Sequence, residues 1–348
     1  MLLNRTKLST LTLISAVALL GAPAPSIAKD NLVVAFQGAL KSPPARCHIQ
    51  TVAKGISKIT GWKTEIHAGG SAFASPKKLY SQLARGITDL SHMPLAYTPG
   101  RFPLAEIAML PFIQQDHKAL ATALNKLSTK YLKKEFKGTH PFGLIVLPPY
   151  NIHLKKPVKN IVTDLKGMRL RVVGKGLTTA FRALGADVVG MPVTQVYENM
   201  QKGVMGGYVL PNVATLVFKL HEVSDYHAQV KISSAVIFLG ISQKAWDSLS
   251  SAQQKLISAK FVGPEAAVRY TSCFDKVSKI ALKVAKKSKG IIYQPTATEI
   301  DQLKKIAQPA TDSYLVSSPL VMYHFVAEFL APVVSYLMTD EAGCDCTV

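Results

Sequence analysis

Residues 32–67 read LVVAFQGALKSPPARCHIQTVAKGISKITGWKTEIH, and this stretch decides the fold class. Its first five residues form a short apolar run, which predicts a buried strand. Apolar residues then recur at helical spacing and stop before Gly61, which predicts a helix with a glycine C-cap: Ile49, Val52, Ile56 and Ile59. Residues 62–67 alternate like a second strand.

The same alternation continues to residue 93. A helix is predicted to begin at Ser75 and Pro76, because a serine side chain can cap free amides and proline fits the first turn. This helix ends at Gly86, and residues 87–93 form another short strand. The resulting β-α-β-α-β order predicts a parallel sheet covered by helices.

A second series of elements follows, and it resembles the first. Strands are predicted at 143–147, 169–173, 188–189 and 204–210, with helices at 177–184 and 194–201. Thr194 is expected to cap the second of these helices. Two similar halves predict an α/β protein of two lobes, with a ligand cleft at the carboxyl ends of the strands. A long helical stretch, residues 249–289, is interrupted near Gly263.

The N-terminus has the layout of a secretory signal peptide. Arg5 and Lys7 precede an apolar stretch, and small residues end with Ala28. The alternative, a membrane anchor, requires ~20 apolar residues, which is longer than this stretch. We therefore expect residues 1–28 to be removed after Ala28, and the mature protein to be periplasmic.

The chain is strongly basic, with a formal net charge of +20. A nucleic-acid binder, a membrane-surface binder and an ordinary solvated surface are the three explanations. Export argues against nucleic acid, and the lysines are dispersed rather than clustered with aromatic residues. We interpret the charge as a surface property that attracts anionic ligands.

No motif predicts catalysis, a metal or a cofactor. The chain has no phosphate-binding loop, and residues 174–176 lack the third glycine of a dinucleotide site. Cys47 and Cys273 lie in predicted helices, whereas Cys344 and Cys346 lie in the last five residues. An oxidising compartment permits a disulfide, but the sequence leaves the pairing open.

Arg171 stands out on physical grounds. It lies in the predicted strand 169–173, whose other residues are mainly apolar, so its buried charge needs a partner. The planar guanidinium fits a carboxylate well. An internal salt bridge and a ligand carboxylate are both open alternatives at this point.

Residues 164–172, DLKGMRLRV, resemble the DLKG-x-x-x-R-V segment of the solute receptors of tripartite ATP-independent periplasmic (TRAP) transporters. Further stretches resemble the same family in order along the chain: 97–104, 183–186, 191–192, 196–197, 201–204, 218–223 and 226–227. The resemblance covers roughly residues 30–300.

The resemblance implies a two-lobed periplasmic-binding-protein-like fold (type II-like), with a cleft between the lobes and a long helix leaning on both. The implied first lobe comprises residues 29–148 and 237–276, and the second comprises 149–236 and 277–348. The lobes are expected to close on the ligand. This receptor would deliver a small organic anion to TRAP membrane subunits, and we expect a monomer with no cofactor.

The resemblance also implies site residues. In the family, the arginine that matches Arg171 grips the ligand carboxylate, and a second polar contact falls near Asn151. The complete set of predicted ligand-binding residues is Arg171, Asn151, Tyr150, Gln37, Ser71, Phe73, Tyr197, Leu210 and Asn212.

The chain departs from the family pattern at several positions. Gln195 replaces an acidic residue, and residues 204–207 lack the family's aspartate. Leu210-Pro211-Asn212 stands where many members carry Asn-Pro, so ligand identity stays open, as does whether Asn212 or Gln195 reaches the cleft. The apolar tail, residues 319–338, is predicted to be a helix on the second lobe rather than a membrane span.

Two other functions compete with a transport receptor. One is a periplasmic enzyme on a similar two-lobed fold, since fold does not fix function. The other is a degenerate receptor retained for sensing, which the lost acidic residues and the unusual tail suggest. Ligand-induced stabilisation without turnover would distinguish a receptor from both.

Overall fold

The computed structural model describes residues 29–113, 116–316 and 324–329. The predicted signal peptide, Cys344, Cys346 and most of the apolar tail lie outside these residues. The strands are β1 (Asn31–Phe36), β2 (Lys63–His67), β3 (Leu90–Pro94), β4 (Thr139–Val146), β5 (Tyr150–Leu154), β6 (Arg169–Arg171), β7 (Asp187–Val189), β8 (Gly207–Pro211), β9 (Tyr226–Ala228), β10 (Val236–Ser242) and β11 (Ile291–Tyr293). The α-helices are α1 (Gln50–Thr60), α2 (Leu79–Ala84), α3 (His117–Leu127), α4 (Lys175–Ala183), α5 (Val196–Gln201), α6 (Asn212–Val217), α7 (Gln243–Asp247), α8 (Ser251–Phe261), α9 (Pro264–Lys287) and α10 (Ala297–Val316).

The first lobe is built on a five-stranded sheet in the order β2-β1-β3-β10-β4. β1 pairs in parallel with β2 and with β3, so the predicted β-α-β-α-β unit is confirmed. α1 buries Val52 and Ile56 and ends at Gly61, whose φ of 80° is the left-handed conformation expected of a glycine C-cap. β10 completes the sheet by pairing antiparallel to β3 and β4.

The second lobe is built on a six-stranded sheet in the order β11-β9-β5-β8-β6-β7. β6 pairs in parallel with both β7 and β8, whereas β5 pairs antiparallel to β8 and β9. β6 begins at the predicted residue and ends at Arg171, so the basic side chain stands at the carboxyl end of its strand.

Two direct chain crossings and one long helix join the lobes. The chain passes from the first sheet to the second between β4 and β5, and it returns between β9 and β10. α9 buries Tyr270 and Phe274 in a core of the first lobe, and it also packs against α6 and β11 of the second. The two-lobed fold with a long helix on both lobes is thus confirmed, while the exact residue boundaries of the lobes stay a prediction.

A disulfide joins Cys47 to Cys273 and settles the pairing that the sequence left open for these two cysteines. Cys47 precedes α1, and Cys273 lies within α9. The bond therefore ties the long helix to the first lobe, and it closes a loop with a sequence separation of 226 residues. Cross-links over long loops restrict the unfolded chain strongly.

The described part of the tail, residues 324–329, does not lie on the predicted lobe. Residues 324–329 are helical, and the fully buried Phe325 and Phe329 belong to a core of the first lobe rather than the second. Glu328 accepts hydrogen bonds from Lys130 and from Tyr131 at 2.5 and 2.6 Å. The prediction is wrong for these residues because the Phe325 ring packs edge-on against Tyr131, which follows α3 in the first lobe. Among the described residues, no helix combines the length and apolar character that a membrane span requires.

Two predicted helix caps are also wrong. α5 begins at Val196 behind a short 3-10 turn, and its N-cap residue is Gln195 rather than Thr194. α2 begins at Leu79, where the backbone carbonyl of Ser75, and not its side chain, accepts from the Leu79 amide at 3.2 Å. In both cases turn residues take up the free amides, so the side-chain cap is unnecessary.

Candidate ligand-binding site

A cavity of about 90 Å³ lies between the two lobes, and residues of both sheets line it. It lies at the carboxyl ends of parallel strands, because Gln37 follows β1, Tyr97 lies shortly after β3 and Val173 follows β6. This is the edge at which open α/β sheets bind ligands. The wall is mainly apolar, with side chains that include Phe36, Val193, Leu210, Phe218 and Phe274.

Arg171 supplies the positive charge of this cavity. Only 1% of the residue is exposed. Its Nε and Nη2 atoms donate to the backbone carbonyl of Met191 at 3.0 and 2.9 Å. Its Nη1 atom is buried and has no hydrogen-bond partner among the described residues. In the part of the chain that the structure describes, no acidic side chain forms a salt bridge with Arg171, so its charge faces the cavity uncompensated.

Tyr97 connects the two lobes at this point. Its hydroxyl oxygen accepts from Arg171 Nη2 at 3.2 Å and from the backbone amide of Val193 at 2.9 Å. Because both contacts use the oxygen as an acceptor, the phenolic hydrogen stays available to donate. Tyr97 lines the cavity, so this hydrogen and Arg171 Nη1 together offer two donors to a bound group.

Two more polar side chains reach the cavity wall. Tyr150 opens β5, and burial raises the pKa of its phenol, against the lowering effect of the Arg171 charge. The phenol therefore stays neutral at physiological pH. Gln37 lines the opposite side, and its buried Oε1 atom has no partner within the described residues.

His92 is the remaining polar residue of the wall, and it belongs to a buried histidine pair. Its Nε2 lies 3.1 Å from Nδ1 of His48, and His48 Nε2 lies 2.9 Å from the carbonyl of Tyr270. Burial lowers the pKa of His48 to about 4 and holds the pKa of His92 well below 6.5, an effect that the neighbouring ring reinforces for His92. Both rings are therefore neutral.

Four of the predicted ligand-binding residues line the cavity: Arg171, Tyr150, Gln37 and Leu210. Asn151 and Asn212 do not, because their amides bind Gln229 Oε1 at 3.2 and 2.7 Å. This network holds the crossing segment between β9 and β10, where Asn151 also accepts from the amide of Lys231 at 3.0 Å. The exposed Gln195 also lies outside the wall.

The other three predicted residues do not line the cavity either. The Tyr197 hydroxyl donates to Glu222 at 2.9 Å on the surface of the second lobe. Phe73 packs on the ring of His67, and Ser71 is the N-cap residue of the short 3-10 turn that contains Phe73. Sequence reasoning missed Tyr97 and His92. Tyr97 lies within the family-like stretch 97–104, which is the signal that could have identified it. For His92 the signal is weaker: it follows the buried Leu90 by two residues on β3, so both side chains lie on the same face of the sheet.

The comparison with protein families identifies the chain. The model of the bacterial extracellular solute-binding proteins, family 7, matches residues 53–317. The chain belongs to this family. The predicted resemblance to TRAP receptors is thereby confirmed: this is a solute-binding receptor of the TRAP type, and the alternative of a periplasmic enzyme falls away.

Relatives and solved structures agree with this identification. The outer membrane transporter protein TsaT of Comamonas testosteroni is 23% identical over 323 residues, which cover 89% of this chain and 92% of the relative. A TRAP solute binding protein from Rhodoferax ferrireducens T118, in complex with copurified benzoate, superposes with a TM-score of 0.83 at 22% identity, covering 89% of this chain and 99% of that one.

A second structure shows the same fold. It is a TRAP solute binding protein from a marine metagenome, specific for aromatic acid ligands and in complex with metahydroxyphenylacetate. It superposes with a TM-score of 0.82 at 23% identity and covers 88% of this chain and 99% of that chain. At this identity the likeness concerns the two-lobed fold.

Proposed function

We propose that this receptor binds a small organic carboxylate in the cavity between its lobes. The carboxylate accepts hydrogen bonds from Arg171 Nη1 and from the hydroxyl of Tyr97. The observation that carries this proposal is the buried Arg171, which lines the cavity and forms no salt bridge among the described residues.

The electrostatics favour an anionic ligand. A buried cation that lacks an opposite charge is costly, and the carbonyl of Met191 and the hydroxyl of Tyr97 supply only dipoles. A carboxylate supplies the missing negative charge and accepts charge-assisted hydrogen bonds, which are stronger than neutral ones. The ligand-free site is thus prepared for an anion.

The rest of the wall favours an apolar body on that anion. Phe36, Phe218 and Phe274 line the same cavity as Arg171, and aromatic rings pack well against one another. Two structures of the same fold hold benzoate and metahydroxyphenylacetate. These observations support an aromatic monocarboxylate as the ligand class.

Transport is the role that fits the family. We propose that the chain is exported, that it is cut after Ala28, and that it delivers its ligand as a monomer to TRAP membrane subunits from the periplasm. Sequencing the N-terminus of periplasmic material should give Lys29 as the first residue. An intact Met1 would contradict the export proposal.

Replacing Arg171 tests the proposed binding mode. Arg171→Ala should weaken the binding of benzoate by ~2–5 kcal/mol, because the substitution removes one partner of a buried charge pair. This corresponds to a dissociation constant about 30-fold higher or more. Arg171→Lys should recover only part of the loss, because an ammonium lacks the planar fork. Isothermal titration calorimetry gives the dissociation constant for benzoate of wild type and of both variants.

Arg169→Ala is the matched control. Arg169 lies on the same strand, but its side chain is 52% exposed and pairs with Asp187 at 2.6 Å on the surface. Its removal should leave the dissociation constant within twofold. Near-normal affinity of Arg171→Ala would refute the proposed role, and thermal-shift screening that finds no stabilising carboxylate would favour a degenerate receptor.

A further inference from the structure

We propose that Nδ1 of His92 accepts a hydrogen bond from a hydroxyl group of the bound carboxylate, so that the receptor selects hydroxylated acids. This inference rests on the proposed function, since it concerns the same cavity and names the second recognition group. The proposal is based on a chain of hydrogen bonds. The chain runs from the backbone carbonyl of Tyr270 through His48 to His92, which lines the cavity.

The backbone fixes the tautomer of each ring in this chain. The carbonyl of Tyr270 can only accept, so His48 carries its proton on Nε2. A neutral His48 then presents Nδ1 as an acceptor, and His92 Nε2 must donate to it across 3.1 Å. A neutral His92 is left with an unprotonated Nδ1, which is buried and lacks a partner within the described chain.

Neutrality of both rings follows from their surroundings. The ring of Phe36 packs edge-on against the His92 ring, with 5.4 Å between the ring centroids. The ring of Phe274 packs edge-on against His48, with 4.9 Å between the ring centroids. Burial is the first cause of the lowered pKa of both histidines. In these apolar surroundings the proton that would charge His92 is disfavoured, so Nδ1 keeps its lone pair.

An unpaired acceptor in an apolar wall is costly, and a donor on the ligand removes that cost. A carboxylate is unsuitable at this place, since its oxygens would face the lone pair of Nδ1. The neighbouring Gln37 directs a second unpaired acceptor, Oε1, into buried space beside β1, which pairs with β3 at Phe36 and His92. His92 and Gln37 of the first lobe therefore offer acceptors, whereas Arg171 of the second lobe, with the Tyr97 hydroxyl beside it, offers donors and a charge.

A hydroxylated acid satisfies both walls at once. Its carboxylate meets Arg171, and its hydroxyl donates to His92, so one small molecule spans the cavity and bridges the lobes. The parent acid without the hydroxyl leaves His92 Nδ1 unsatisfied in a desolvated site, and sites built to bind a ligand hydroxyl discriminate against analogues that lack it.

Calorimetric dissociation constants for benzoate and for the three isomers of monohydroxybenzoate test this selection. At least one isomer should bind the wild-type protein about 10-fold more tightly than benzoate. His92→Phe should reduce this affinity ratio to less than about threefold, because the acceptor is gone. His48→Leu should reduce it as well, since the His92 ring then loses the contact that fixes its tautomer.

His227→Leu is the control for removing a buried histidine outside the cavity wall, and it should keep the wild-type ratio. If every isomer binds no better than benzoate while Arg171→Ala still weakens benzoate binding about 30-fold or more, the selection by His92 is refuted and the proposed function stands. If no acid binds and Arg171→Ala changes nothing, the proposed function itself fails.

Nitrogen-15 NMR provides a test that needs no ligand and no variant. In wild-type protein at neutral pH, His92 should show a protonated Nε2 and an unprotonated Nδ1. The resonances of protonated and unprotonated ring nitrogens are well separated, so the assignment is direct. A protonated Nδ1 would overturn the inference even if His92→Phe fails to fold.

Discussion

Each lobe buries a pair of histidines, and the two pairs have the same construction. In the first lobe His48 contacts the carbonyl of Tyr270 at 2.9 Å and the ring of His92 at 3.1 Å. In the second lobe His153 contacts the carbonyl of Leu210 at 3.0 Å and the ring of His227 at 2.8 Å. Each pair ends in a buried ring nitrogen with no partner among the described residues, which is Nδ1 of His92 and Nε2 of His227.

The pairs differ in what lies beyond that last nitrogen. His92 lines the ligand cavity. His227 lies against Gly290, where an added Cβ would stand 3.0 Å from its Nε2 atom. The second pair does not line the cavity. It contacts the cavity wall through one hydrogen bond, from His153 to the backbone carbonyl of the wall residue Leu210. The same hydrogen-bonded pair can therefore recognise a ligand or support a wall, depending on which atoms lie at its end.

Both pairs bury neutral histidines, so both should make the folded protein less stable at low pH. This loss of stability is the largest expected effect. Burial lowers the pKa of both His48 and His227 to about 4, from 6.5. The unfolded chain then binds more protons than the folded protein between pH 6.5 and pH 4, so stability falls as pH falls through this window. Each histidine should contribute about 3 kcal/mol to that loss.

Urea unfolding at pH 7 and at pH 4 measures this loss in wild type, His48→Leu and His227→Leu. Each variant should lose about 3 kcal/mol less than wild type between the two pH values, and the two variants should behave alike. Equal losses in all three proteins would show that the buried rings are not neutral in the folded state.

Replacing His153 should separate the two pairs. His153→Phe leaves the Leu210 carbonyl and the donor of His227 unpaired, so the free energy of unfolding at pH 7 should fall by about 2 kcal/mol. The preference for a hydroxylated acid should persist within twofold, since His92 is untouched. Loss of the preference with intact stability would mean that the second pair recognises the ligand.

Adding a methyl group at Gly290, beside the unpaired nitrogen of His227, should have the smallest effect on stability. Gly290→Ala places a Cβ 2.9 Å from the Ala285 carbonyl and 3.0 Å from His227, so stability should fall by about 1 kcal/mol. Gly190→Ala is the matched control, because its Cβ would meet only the Val172 carbonyl at 3.9 Å. Chemical denaturation compares the two variants. An equal effect of both would show that the space beside His227 is not packed.

The sequence by itself determined much of the fold of this receptor. Hydrophobic periodicity is a local property, so the helix that ends at Gly61 and the parallel unit around it could be predicted from neighbouring residues. The same holds for Arg171, because a basic residue in an apolar strand needs a partner wherever the strand lies. The ordered motifs around residues 164–172 added the family, which the match to residues 53–317 confirms.

Only the tertiary structure decided which polar groups face the cavity. His48 and His92 lie 44 residues apart, and His153 and His227 lie 74 apart, so neither pair exists until distant strands and helices pack together. Asn151 is similar: its position in the chain suggested a ligand contact, but the fold brings Gln229 to its amide. A hydrogen bond depends on atoms within about 3 Å, and sequence spacing does not fix such distances across a fold.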